Sequence, residues 1–138
     1  MTNPSTVNLK NALVTAGIGT FASPTSSDWA IFIGTELDTP KKSITLYLYN
    51  STDRRFLDAA SGSIIRERVQ VRVRDASYTS AYAKSLEIHQ FIKTAVISDT
   101  GATYEGVNMV SAPHELGRDE ENRCAIFVAD YELLWKVV

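Results

Sequence analysis

Residues 66–92 read RERVQVRVRDASYTSAYAKSLEIHQFI, and the period of this stretch changes in its middle. Val69, Val71 and Val73 alternate with Arg68, Gln70, Arg72 and Arg74, the two-residue repeat of a strand with one apolar and one charged face. After Asp75-Ala76-Ser77 the apolar residues recur every three or four positions, the repeat of a helix over about 78–95. On that helix Tyr78, Ala81, Tyr82, Ser85, Ile88, His89 and Ile92 share one arc. Lys84, Glu87 and Gln90 lie outside it, and Leu86 and Phe91 mark its borders.

Working outward, residues 5–16 predict a short helix with Leu9, Ala12, Leu13 and Ala16 on one face and Gly17 at its stop. WAIFIG (29–34) and ITLYLYN (44–50) read as strands, joined by TELDTPKK with Pro40 at its centre. Ile44, Leu46 and Leu48 face one way, Tyr47 and Tyr49 the other. STDRRFLDAASGSIIRE (51–67) has no clear period and reads as a long loop, of the kind that often carries function. A further strand is expected at 102–112 and an acidic hairpin loop at 113–123. A closing strand then places Phe127, Ala129, Tyr131, Leu133 and Trp135 on one face. The expected fold is α+β, a mainly antiparallel sheet packed by two helices in the order α-β-β-β-α-β-β, within a single domain spanning 1–138.

Composition narrows the function classes. The 138 residues carry 14 basic and 16 acidic side chains, a net charge of −2, which argues against a dedicated DNA binder. One cysteine, Cys124, rules out an intramolecular disulfide and suggests a reducing compartment. The N-terminal stretch does not read as a secretion signal, and the longest apolar run, CAIFVA, is too short to cross a bilayer. A cytoplasmic site of synthesis is expected.

Enzyme signatures are poor. His89 sits on the buried arc of its helix, and His114 lies in a polar loop beside Glu115. No histidine pair has ligand spacing, and one cysteine cannot build a structural zinc site. Gly17-Ile18-Gly19 lacks the third glycine of a dinucleotide loop. Ser61-Gly62-Ser63 reads as a turn and not as a nucleophile elbow. No catalytic residue, metal ligand or cofactor is assigned.

The arginine row has three readings. It can be a solvated strand face, with Arg72 and Arg74 opposite acids such as Asp130 and Glu132. It can be a protein interface, or it can grip nucleic acid with Tyr47 and Tyr49 as stacking platforms. Exposed ion pairs contribute about 0–1 kcal/mol, against roughly 1.5–3 kcal/mol for each buried valine. The valines therefore set the fold and leave the arginines free for an interface.

Three stretches together resemble the tail-terminator proteins of long-tailed bacteriophages, also called minor capsid or tail-completion proteins. They are ERVQVRVRDASYTSAYAKSLEIHQFI, TPKKSITLYLYN and PHELGRDEENRCAIFVADYEL, covering about residues 38–135. The resemblance implies a structural virion protein without a cofactor. It implies a ring, commonly of six copies, on the head-proximal end of the tail tube, ending tube polymerisation and joining the tail to the head-closure or connector protein. It also implies assembly in the host bacterial cytoplasm, no membrane partner, and genomic DNA only passing through the channel.

Subunit contacts are then expected from Arg68, Arg72, Arg74, Tyr47 and Tyr49, and from the loop around Arg54, Arg55 and Phe56. The acids Glu115, Asp119, Glu120 and Glu121 are candidates for a channel lining that repels DNA. The alternatives are a head-closure or connector adaptor of the phage neck, and a nucleic-acid-binding module.

Overall fold

In the computed structural model, which describes residues 1–55, 62–121 and 123–137, one five-stranded sheet carries both helices on the same face. The elements are α1 (Ser5–Thr15), β1 (Ala30–Ile33), β2 (Ser43–Arg55), β3 (Ser63–Asp75), α2 (Tyr78–Thr94), β4 (Thr103–Asp119) and β5 (Cys124–Val137). The spatial order is β1-β2-β3-β5-β4. This is the expected α+β fold in the expected element order.

The alternation in β3 does what its period dictates. Val69, Val71 and Val73 are at most 2% exposed and pack with Ile44 and Leu46 of β2 and with Tyr131, Leu133 and Trp135 of β5. Leu9 and Leu13 from α1, and Ile88 and Ile92 from α2, close the same core. The helix α1 lies over β1, β2 and β3, and α2 lies over β3, β5 and β4.

Local chemistry sets the helix ends. The side chain of Ser77 accepts the Ser80 amide at the start of α2. At the end of α1 the Ile18 amide donates to the Leu13 carbonyl and the Gly17 amide to the Val14 carbonyl. Gly17 has φ +75°, the left-handed conformation this double bond requires.

Three sequence expectations need correction. First, β1 and β2 are parallel, with Ala30 opposite Ser43 and Ile33 opposite Leu46, although a short connector with turn chemistry joins them in a sheet expected to be mainly antiparallel. A strand of four residues spans only about 13 Å, so the short connector 34–42 can run back along it. Second, residues 51–55 are not loop: β2 and β3 continue as one long hairpin, paired out to Arg55 opposite Ser63. Residues 56–61 lie outside the described residues. Third, most of 113–123 is strand, because β4 runs on to Asp119 through four register irregularities. Bulges of this kind disrupt simple alternation and hide a strand from a period-based reading.

Candidate protein-interaction surface

The face of the sheet opposite the helices is polar, and the register organises its charges. Arg68 stands opposite Glu132, and Gln70 opposite Asp130. Arg68 Nε donates to Glu132 Oε2 at 3.1 Å, and Asn108 Nδ2 donates to Glu132 Oε1 at 3.0 Å. The Asn108 amide first, and Arg68 with it, hold the Glu132 carboxyl below its ordinary range against the opposing effect of burial. Asp130 also has partners on this face: Ser111 Oγ donates to its Oδ2 at 3.2 Å, and Gln70 Nε2 lies 3.5 Å from its Oδ1.

Arg72 and Arg74 do not face Asp130 and Glu132. Both turn to Glu36, a residue of the β1–β2 connector. Arg72 Nε lies 3.3 Å from Glu36 Oε2, and Arg74 Nη1 lies 3.4 Å from Glu36 Oε1, as ion pairs and not as aligned hydrogen bonds. Arg74 is 2% exposed and also donates to the carbonyls of Leu37, Pro40 and Lys41. Its guanidinium therefore organises the connector from within, and its burial removes it from the expected subunit contacts. No sequence signal pointed to Glu36, because the pairing depends on how the connector folds over the sheet.

What the face offers outward is narrower than the arginine row. The Arg68 side chain is 41% exposed. Tyr49, 49% exposed, lies beside it, within reach of an Arg68 hydrogen bond. Tyr47 is half-buried, and burial together with the nearby Glu36 charge pushes its phenol upward. Arg54 and Arg55 have their backbone in β2; their side chains, and Phe56 altogether, lie outside the described residues.

The remaining candidates are scattered. Glu115 is on β4 and accepts the Tyr78 hydroxyl at 3.1 Å, while Tyr78 and Tyr82 both pack on Phe127. Asp119 ends β4, and Glu120 and Glu121 are exposed at the turn into β5. His89 Nδ1 shares a 2.9 Å hydrogen bond with the Tyr131 hydroxyl inside the fold. His114 Nδ1 donates to the Ala112 carbonyl. Among the described residues no group of three or more His, Cys, Asp or Glu is arranged to hold a metal ion. Among the described residues no helix is long and apolar enough to cross a membrane.

The family comparison is decisive: the model of the bacteriophage tail terminator protein family matches residues 12–134. The chain belongs to the bacteriophage tail terminator family. It is accordingly a structural component of a phage tail. A comparison with curated proteins gives no match. Among solved structures, a chain from "Virion of native gene transfer agent (GTA) particle" is similar in fold, with a TM-score of 0.64 at 11% identity over 95% of this chain and 93% of that chain.

Proposed function

We propose that this tail terminator acts as a closed ring of six copies seated on the head-proximal end of the tail tube. The ring ends addition of tube subunits and presents its other side to the head-closure or connector protein. DNA only passes through its centre, and no reaction or cofactor is part of this role. The observation that carries the reading is the family match over residues 12–134, nearly the whole described fold. Tyr49, Tyr47 and Arg68 are the protein-contact set on the open face. Two of them present an aromatic ring and one a long cationic side chain, the residue types enriched where protein surfaces meet.

The test is a length assay. Tail tube protein polymerised alone should give tubes of unlimited length. Added terminator should cap them, with ring density visible at one end by electron microscopy. Tubes that keep growing in its presence, while the protein instead binds the isolated head-side connector, would favour the neck-adaptor reading.

A further inference from the structure

The two outer strands of the sheet carry opposite chemistry, and this bears on how copies meet. Beyond β1, at one edge, lies an apolar groove of about 310 Å³ lined by Phe21, Pro24, Ile31, Ile33 and Leu37. Phe21 and Leu37 are 46% and 51% exposed. Lysines surround this edge. Lys10 Nζ sits 4.3 Å from the centre of the Phe21 ring, and Lys42 and Lys84 lie 5.6 and 5.4 Å from that of Trp29. Lys84 is in addition paired with Glu87. This edge is therefore apolar with Lys10 and Lys42 beside it, and Asp28 and Asp38 stand in the segments that flank β1.

The opposite edge is greasy and negative. Along β4, Val110 and Leu116 are 43% and 54% exposed. Leu116 is followed within five residues by the exposed Arg118, Glu120 and Glu121 and by Asp119, so acids outnumber the one base there. Sheet order puts these two edges on opposite sides of the same subunit, with β1 first and β4 last. Two different, complementary patches on opposite sides of one chain are what a head-to-tail contact requires, and such contacts repeat until they close into a ring.

We infer that a second copy of this chain occupies the groove beside β1, placing its β4 end there with Leu116 over Phe21 and Leu37, and with Glu120 and Glu121 facing Lys10 and Lys42. The inference rests on the ring reading above and assigns the surfaces that join the ring. It takes the acidic turn for the subunit contact and away from the channel wall. The partner is a sister copy because the same chain carries both halves of the match.

Native mass spectrometry, with and without tail tube protein, tests this with three sets of variants. Lys10→Glu with Lys42→Glu should lower the ring population by about tenfold or more, as reversed charges at a contact oppose association. Glu120→Lys with Glu121→Lys should do the same, and joining all four changes in one chain should restore the ring. A misfolded variant could not regain assembly in this way. Phe21→Glu and Leu116→Glu chains should each fail alone, and their mixture should stop at a pair holding one copy of each, since only one intact contact remains.

Rings in every variant, beside normal wild-type rings, would overturn this contact and leave the ring reading standing. So would intact rings of Glu120→Gln with Glu121→Gln that now retain DNA, which would return those acids to the channel. A wild-type protein that forms no ring even on tubes would overturn both.

Discussion

Glu67 holds the first turn of α1 from the side: its Oε1 accepts both the backbone amide and the hydroxyl of Ser5, at 2.8 and 2.7 Å. The same hydroxyl accepts Trp135 Nε1 at 2.8 Å. One carboxylate on β3 thus satisfies an orphan amide at the start of the helix and fixes it over β3 and β5. Pro4, at the N-cap, has no side chain that could cap the helix itself. Glu67 is 7% exposed, so its replacement leaves the Ser5 amide buried without a partner. We expect Glu67→Ala to cost about 2–3 kcal/mol, since a hydrogen bond to a charged group contributes in that range. Urea denaturation followed by tryptophan fluorescence measures it, and a cost near zero would mean that α1 is held by its apolar face alone.

Arg74 and Arg68 should behave differently although they share a strand face. Removing the buried Arg74 takes the donor from three connector carbonyls and leaves Glu36 with Arg72 alone, so Arg74→Ala should destabilise by about 3 kcal/mol or more. Arg68→Ala removes an exposed side chain whose partner Glu132 keeps the Asn108 hydrogen bond, and it should cost clearly less than Arg74→Ala. Thermal melts of the two variants give the comparison, and amide exchange should locate the loosening in Arg74→Ala around residues 30–42.

Acid sensitivity should come partly from Asp99. Burial works against its charge. The amides of Thr2, Asn3 and Gly101 and the side chain of Asn8 outweigh that and hold its carboxyl well below the usual carboxylate range. A folded-state value below the unfolded one means that the stabilisation is complete above the unfolded value of about 3.9 and is lost as pH falls toward the folded value. Asp99→Asn should be less stable at neutral pH and lose less on acidification. Urea midpoints at about pH 6 and about pH 3 for both proteins decide it; parallel losses would rule Asp99 out.

On the open face, Tyr49→Ala and Arg68→Ala should leave the protein folded, since Asn108 still donates to Glu132 when Arg68 is truncated. They should weaken tube capping, read as the protein concentration needed to halt growth. Full capping by the double variant would remove this face from the contacts the protein makes.

Much of the fold was legible because burial and period coincide. Phe127, Ala129, Tyr131, Leu133 and Trp135 are all at most 3% exposed, as strict alternation required. Gly17 ended α1 where its conformational freedom suggested. The legibility failed where alternation is interrupted. The bulge between Leu48 and Asn50 shifts the register of β2, and β4 has several more, so both strands were read too short. On α2, Tyr78 and Tyr82 fall on the predicted arc yet remain 47% and 45% exposed, because they lie over the outer side of Phe127 and not in the core. The candidate surface was harder still. Arg68, Arg72 and Arg74 are equivalent by period, and only the position of Glu36 in three dimensions separates the two that turn inward from the one that stays available.

The unequal lengths of β1 and β2 have a consequence for handling the protein. β1 covers β2 only from Ser43 to Leu46, and β2 continues for nine more residues to Arg55. Over roughly 30 Å that rim offers a row of main-chain donors and acceptors to whatever extended segment drifts past. A solution of isolated chains at high concentration should therefore be prone to stray ribbon-to-ribbon sticking, and prompt engagement with its proper neighbours would shield the molecule from it.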